Sequence, residues 1–247
     1  MRISKSEFIS ALVLCLFIGC SKQVLAPLDA EDEFERAMSF FNNKKYGQAI
    51  KGFERVIFYH AASEYVDDAQ YWLGRSYFIN KEYAQAIIEF DYLVKNFSSS
   101  SFLEDAYLFR AKSYLYNAPG YDKDQTETRE AIGYLDEFLT RFPNSKNTDE
   151  AKQLILTARS RMAKKELESG KLYVKMQEYE AAIIYFRYII ENFPETIAIS
   201  EAKYCLAGIY EKKGLKENAL ALYKDLLEDN GWKDKAEKRI KLIEKEQ

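Results

Sequence analysis

Few residues in this 247-residue chain could carry out chemistry. His60 is the only histidine, and the three cysteines are Cys15, Cys20 and Cys205. A thiol nucleophile needs a base within hydrogen-bond reach, and a zinc site needs several nitrogen or sulfur ligands. We therefore expect no catalytic residue, no metal and no cofactor. We interpret His60 as a surface or partly packed side chain, and Cys205 as a small apolar side chain on a helix.

Two aspartates offer another kind of chemistry. Asp122 and Asp124 could supply oxygen ligands for a hard cation, but two carboxylates alone make a weak site. Asp124 together with Glu127 is better suited to capping the next helix, because both side chains can accept hydrogen bonds from free backbone N–H groups. We favour capping. By the same pattern, Ser101 with Glu104 predicts a capping box.

The N-terminus has the layout of a bacterial secretory signal. Basic residues precede a largely apolar run over residues 8–18, and Gly19 and Cys20 follow. As a helix the run would cross only about half of a ~30 Å hydrocarbon core, so it cannot span a membrane. Residues 17–20 resemble a lipobox, in which the cysteine is acylated. Residues 1–19 are therefore predicted to be a cleaved signal peptide, and residues 20–32 the lipidated Cys20 with a linker.

Charge and cysteine usage restrict the remaining chain. The formal net charge is −3, so nothing indicates the basic footprint of a nucleic-acid-binding protein. If Cys20 is acylated and Cys15 is removed with the signal, Cys205 has no cysteine with which to form an intramolecular disulfide. Stability must then come from packing.

Small residues recur at a fixed spacing. Ala37, Gly74 and Ala111 are 37 residues apart, as are Gly170 and Ala207. An aromatic residue follows three positions after each, at Phe40, Tyr77, Tyr114, Tyr173 and Tyr210. Further on stands a second small residue with an aromatic or Leu four positions later, at Ala49/Phe53, Ala86/Phe90, Ala131/Leu135, Ala182/Phe186 and Ala219/Tyr223. Ala and Gly allow two helices to approach closely, and residues four apart share a helix face.

This pattern resembles the tetratricopeptide repeat. It predicts an all-α fold, an α-solenoid of five helix pairs with an extra helix before the fourth. Residues 33–147 hold repeats one to three. The third repeat contains an eight-residue insertion, predicted as a loop over residues 118–127. Residues 148–232 hold the extra helix with repeats four and five, and residues 233–247 form a charged C-terminal helix.

The resemblance also implies a groove. In tetratricopeptide arrays the first helices line a concave surface, and their groove positions carried onto this chain are Phe34, Met38, Phe41, Tyr71, Arg75, Phe78, Leu108, Lys112, Leu115 and Tyr116. This lining suits an extended peptide with aromatic side chains and a free carboxylate, because arginine provides a planar donor fork and aromatics provide anchors. The alternative is that Arg75 and Lys112 are ordinary solvated charges.

Three further segments make the resemblance more specific. They are the insert at 122–131, the Arg-Phe-Pro-Asn-Ser run at 141–145, and residues 162–167. With the lipobox and the repeats, they resemble the BamD family of outer-membrane assembly lipoproteins over essentially the whole chain. Many members place an arginine before the phenylalanine of the fourth repeat's second helix. Here Tyr185 precedes Phe186, and Arg187 follows.

The resemblance implies a non-enzymatic lipoprotein, anchored to the outer membrane and facing the periplasm. Its implied partners are the periplasmic domains of BamA, other Bam subunits and unfolded outer-membrane β-barrel proteins. The N-terminal repeats would receive the barrel substrate, and the C-terminal repeats would dock BamA. The alternative is another periplasmic repeat lipoprotein, such as a pilus-secretin pilot or a Tol-associated cell-division coordinator, which would lack the Asp-containing insert. An enzyme would need a clustered nucleophile or acid pair, and the sequence shows neither.

Overall fold

The computed structural model describes residues 28–245. The predicted signal peptide, Cys20 and most of the linker lie outside the described residues. Within the described range every regular element is a helix, so the all-α prediction is confirmed. The helices are α1 (Ala30–Asn42), α2 (Tyr46–Tyr59), α3 (Val66–Ile79), α4 (Tyr83–Asn96), α5 (Leu103–Asn117), α6 (Thr126–Arg141), α7 (Thr148–Lys175), α8 (Tyr179–Asn192), α9 (Ala198–Lys212), α10 (Lys216–Asp225), a 3₁₀ turn (Leu226–Glu228) and α11 (Lys233–Lys245).

Each helix packs against the next one along the chain. Four of the short turns contain one residue with left-handed backbone, namely Lys44 (φ 58°), Lys81 (φ 64°), Gln177 (φ 64°) and Gly214 (φ 74°). These residues are 37 apart in two pairs, so the period of the small residues is also the period of the turns. A left-handed residue just after a helix allows the chain to reverse direction.

The periodic small residues lie where helices touch. A Cβ atom added to Gly74 would stand 2.8 Å from the ring of Phe90, and one added to Gly170 would stand 2.7 Å from the ring of Phe186. Both rings are fully buried. The close approach requires glycine at these two positions, because any side chain would displace an aromatic ring of the core.

The two halves of the chain are joined by the 28-residue helix α7. Its N-terminal part packs Ala151 and Ala158 against the third helix pair, and its C-terminal part packs Leu167 against α8 and α9. The extra helical segment and the first helix of the fourth pair are thus one continuous helix. No helix among the described residues is long and apolar enough to cross a membrane.

Hydrogen bonds made by its own side chains hold the loop at 118–125 in place. Gln125 is buried, and its Nε2 donates to the Gly120 carbonyl at 2.9 Å while its Oε1 accepts from Thr128 Oγ1 at 2.9 Å. Asp124 Oδ1 accepts from the Thr126 N–H at 2.8 Å, as the capping interpretation predicts. Hydrogen bonds from Thr126 also hold the pKa of Asp124 below its usual value.

Two details of the capping predictions are wrong. Glu127 does not cap α6 but accepts a hydrogen bond from Asn117. The Ser101–Glu104 box does not form either, because Ser100 Oγ accepts from the Phe102 N–H and Glu104 accepts from Ser145 Oγ. In both cases the glutamate accepts a hydrogen bond from a residue outside its predicted capping box.

Candidate functional site

The two cations of the predicted groove converge on one aromatic ring. Arg75 on α3 has its guanidinium carbon 3.9 Å from the centroid of Phe109 on α5. Lys112, also on α5, has its Nζ 4.7 Å from the same centroid. Arg75 and Lys112 are 37 residues apart, so they occupy equivalent positions in adjacent repeats. We refer to Arg75, Phe78, Phe109, Lys112 and Tyr116 as the Phe109 cluster.

Arg75 is positioned by its neighbours and keeps spare donors. Its Nη1 donates to the Tyr71 hydroxyl at 2.8 Å. Its Nε is buried and finds no hydrogen-bond partner in the described part of the chain. A guanidinium has five N–H donors in a planar fork, so a carboxylate could still bind the Nη donors that Tyr71 does not use. Stacking on Phe109 contributes about 0.5–2 kcal/mol to holding the cation in place.

Lys112 differs from Arg75 in having an acidic partner. Its Nζ lies 2.6 Å from a carboxylate oxygen of Glu150, in the first turn of α7. The Lys112 side chain is 11% exposed and that of Glu150 is 48% exposed. Glu150 therefore compensates the charge of Lys112 from the solvent side, and an incoming carboxylate would have to compete with it.

Aromatic side chains extend the cluster away from the cations. The ring of Phe78 lies 5.2 Å from that of Phe109 and 5.7 Å from that of Tyr116, centroid to centroid. Tyr83 lies 5.6 Å from Tyr116. Tyr116 is 49% exposed. The cluster thus combines a cation with free donors and a solvent-accessible aromatic surface, which together can recognise an aromatic residue that carries a carboxylate.

The structure separates the ten predicted groove residues into three groups. Arg75, Phe78, Lys112 and Tyr116 come together in the Phe109 cluster. Phe34, Met38 and Phe41 are half-buried and pack against the core of the first helix pair. Tyr71, Leu108 and Leu115 are instead core residues, at 2%, 2% and 1% exposure. Side chains this deeply buried offer no surface to a peptide, so their assignment to the groove lining is corrected here.

Sequence reasoning missed the residue at the centre of the cluster. Phe109 is 37 residues after Trp72, so both occupy one position in their repeats. Trp72 lies 4.9 Å from Phe41 on α1, centroid to centroid, and has Arg75 5.9 Å from its ring. The repeat spacing could have identified this position, because an aromatic recurs there beside each first-helix cation.

The residues considered for chemistry are in unreactive surroundings. Burial raises the pKa of the Cys205 thiol to about 11, so the thiol is protonated at neutral pH and is a poor nucleophile. The Nε2 atom of His60 is buried, without a hydrogen-bond partner in residues 28–245. In that same range no group of three or more His, Cys, Asp or Glu side chains is placed to hold a metal.

A known protein family matches most of the described chain. A family model described as "YfiO: Outer membrane lipoprotein" matches residues 28–224. The chain belongs to this family. The match confirms the predicted relationship to BamD, because curated relatives carry that name.

The relatives named BamD share part of their length with this chain. "Outer membrane protein assembly factor BamD" of Caulobacter vibrioides is 32% identical over 98 residues, which are 40% of this chain and 32% of that protein. The protein of the same name from Rickettsia prowazekii is 31% identical over 96 residues, 39% of this chain and 38% of that protein. The matched part therefore spans about a third of the length of these relatives.

Solved structures that resemble the chain are helical repeat proteins. A thermophilic TPR protein from Thermus thermophilus is 19% identical with a TM-score of 0.35, covering 87% of this chain and 98% of that one. The TPR2AB domain of yeast Sti1 in complex with pHSP90 is 14% identical with a TM-score of 0.46, covering 87% of this chain and 82% of that one.

Proposed function

We propose that this chain is a non-enzymatic lipoprotein of the β-barrel assembly machinery. It is anchored to the outer membrane through Cys20, faces the periplasm, scaffolds BamA with other Bam subunits, and receives unfolded outer-membrane proteins for folding and insertion. Membership of an outer-membrane lipoprotein family supports this role, as does the similarity to the Caulobacter and Rickettsia proteins, which are named outer membrane protein assembly factors.

The Phe109 cluster is the observation that carries the substrate-receiving part of the proposal. An extended peptide with a terminal aromatic residue would place its carboxylate on the remaining Nη donors of Arg75, because the Nε atom is buried. Its aromatic side chain would cover Tyr116, which is 49% exposed. Burying the ring is worth roughly 1.5–3 kcal/mol, and a charge-assisted hydrogen bond roughly 1.5–3 kcal/mol.

The small free energy of these two contacts favours a transient complex. Two contacts of that size total roughly 3–6 kcal/mol, which corresponds to a dissociation constant no tighter than about tens of micromolar. Further contacts along the peptide must offset the cost of association. Such an affinity suits a protein that must pass its substrate on. Because Arg75 is already fixed by Tyr71 and Phe109, little conformational entropy is lost when the carboxylate binds.

The test is peptide binding followed by fluorescence anisotropy. The probe is a labelled C-terminal peptide of an outer-membrane barrel protein that ends in phenylalanine with a free carboxylate. The double variant Arg75→Glu with Lys112→Glu should bind it about tenfold or more weakly, and amidating the peptide should weaken binding to the wild type more than to the variant.

The matched control reverses two exposed lysines outside the cluster, Lys95→Glu and Lys152→Glu, for the same change in net charge. Helical circular dichroism should be retained in both variants. Because Lys112→Glu would face Glu150, the milder pair Arg75→Gln and Lys112→Gln provides a second variant if helicity falls. Equal binding by wild type and cluster variants, or no effect of amidation, would show that these cations are ordinary surface charges.

A further inference from the structure

A cleft lies beside the inserted loop. It is a cleft of about 620 Å³ between the loop at 118–121, one face of α7, and the start of α9. This volume is within the range of about 300–1,000 Å³ that is usual for ligand pockets. None of the Phe109 cluster residues contributes to its lining.

Apolar side chains form part of the cleft lining, and one of them is highly exposed to solvent. Pro119, Tyr121 and Leu167 contribute to the lining, together with Ile197 in the turn before α9. Ile197 is 92% exposed. A fully solvated isoleucine beside an apolar lining gains free energy when another apolar side chain covers it.

Two cations that line the cleft have no acidic partner in the described part of the chain. Arg161 Nη1 donates to the Leu115 carbonyl at 3.2 Å, and Lys164 Nζ lies 4.2 Å from the centroid of Tyr121. Neither forms an ion pair with a carboxylate in residues 28–245. Glu168, one turn after Lys164 on α7, and Glu201 on α9 both bind Lys171, at 2.9 and 3.0 Å. Among the charged residues that line the cleft, Arg161 and Lys164 are therefore the ones without an ion-pair partner in the described part of the chain.

We propose that this cleft binds an extended acidic and aliphatic peptide segment of a protein partner. A glutamate or aspartate side chain of the segment lies between Arg161 and Lys164, and a neighbouring aliphatic side chain covers Leu167 and Ile197. The inference does not depend on the proposed function, because it rests on this cleft alone.

The charges that line the cleft favour a peptide over a lipid headgroup or other polyanion. Glu168 and Glu201 repel a ligand with several negative charges, and their carboxylates can instead accept hydrogen bonds from the N–H groups of a peptide backbone. A single carboxylate between Arg161 and Lys164 meets less of that repulsion than a ligand with several negative charges.

The experiment is methyl NMR on the full chain in detergent micelles, with isoleucine δ-methyl groups labelled. The probes are the acetylated and amidated pentapeptide Gly-Leu-Glu-Leu-Gly and its matched version with glutamine in place of glutamate. The Ile197 signal should shift saturably with the glutamate peptide, and the glutamine peptide should bind about tenfold more weakly. The signal of Ile88, which is exposed on α4 and distant in sequence, should not move.

Two charge reversals on the same helix separate specific recognition from general electrostatics. Lys164→Glu removes an exposed cation of the cleft, whereas Lys152→Glu makes the same change three turns earlier, outside it. Lys164→Glu should weaken binding about tenfold and Lys152→Glu should not. Equal weakening by both variants, or no saturable shift of Ile197 at millimolar peptide, would overturn the proposal. So would Lys164-dependent binding to phosphatidylglycerol vesicles in the absence of peptide binding.

Discussion

The guanidinium carbon of Arg75 lies over the ring of Phe109, 3.9 Å from its centroid, although the two residues belong to different helix pairs. The contact connects α3 to α5 and fixes a cation before any ligand arrives. Lys112 lies one turn beyond Phe109 on the same helix and contacts the same ring. The distance between the two cations is therefore set by packing within the array, as a preorganised anion site requires.

Glu150 controls how available this site is. The substitution Glu150→Gln removes the carboxylate that pairs with Lys112. An exposed ion pair is worth up to about 1 kcal/mol, so a peptide with a free terminal carboxylate should bind up to about fivefold more tightly. Fluorescence anisotropy checks this, with Asp149→Asn as the control, since Asp149 is an exposed acid next in sequence. Equal tightening for an amidated peptide would mean that Glu150 does not compete with the carboxylate.

The sequence was sufficient to predict the array of helices but not which side chains face outward. Close helix approach recurs with the repeat, so Gly74 and Gly170 could be identified from spacing alone. Spacing predicts which side of its own helix each of Tyr71 and Leu108 occupies. Whether that side is exposed to solvent depends on the neighbouring segments. Tyr71 is covered because it stacks on Phe102, 4.2 Å away, in the turn between the second and third helix pairs.

Local patterns failed where a tertiary partner competed for the same group. Glu104 matches the spacing of a capping box, yet it accepts a hydrogen bond from Ser145, 41 residues later. Arg110 looks like a surface charge in sequence, but it is 5% exposed and contacts Asp91 and Glu137 from two neighbouring helices. Such partners are far apart along the chain, so a pattern within one helix cannot indicate them.

Membrane attachment is predicted to depend on Cys20. The substitution Cys20→Ala removes the only thiol that follows a small residue at the end of the apolar run. Acyl chains contribute about 0.8 kcal/mol per buried methylene, so their loss should move the protein from the membrane to the soluble fraction. Fractionation with labelled palmitate measures this. Cys205→Ala is the control, and membrane retention of the Cys20 variant would exclude the lipid anchor.

Stability at low pH should depend on Glu33. This carboxylate is fully buried and binds Arg36 and Arg55. Burial raises its pKa, but the hydrogen bonds from Arg55 and Arg36 outweigh burial, and the net pKa is lowered. A group whose pKa is lower in the folded state adds stability above its unfolded pKa and loses that contribution as the pH falls through the folded value.

The substitution Glu33→Gln should therefore lower the free energy of unfolding at pH 7 by about 1–3 kcal/mol. Below a pH of about 4 the difference from wild type should shrink, because the wild-type glutamate becomes protonated. Urea denaturation at pH 7 and at a pH below about 4 measures this difference in the free energy of unfolding. Glu35→Gln, an exposed change on the same helix, is the control. A difference that stays constant with pH would show that Glu33 contributes through packing alone.

The second helix of the second pair, α4, and that of the fourth pair, α8, carry the same exposed pair of residues, an isoleucine and a tyrosine. Ile184 and Tyr188 on α8 are 68% and 44% exposed, and Ile88 and Tyr92 on α4 are 63% and 50% exposed. The surroundings are also alike, since Tyr188 lies 5.7 Å from Phe193 and Tyr92 lies 6.0 Å from Phe97, centroid to centroid. The two faces thus differ mainly in which half of the chain they occupy.

If BamA docks on the C-terminal half, only the α8 face should matter. The double variant Ile184→Glu with Tyr188→Glu places two charges where an apolar partner surface would be buried, and it should reduce copurification of BamA at least tenfold. Neither side chain belongs to the core, so helical circular dichroism should be unchanged. The control, Ile88→Glu with Tyr92→Glu, makes the same chemical change in the same local setting and should leave BamA recovery at the wild-type level. Equal losses in both variants would point to general insolubility, and undiminished recovery with the α8 variant would place the BamA interface on another surface.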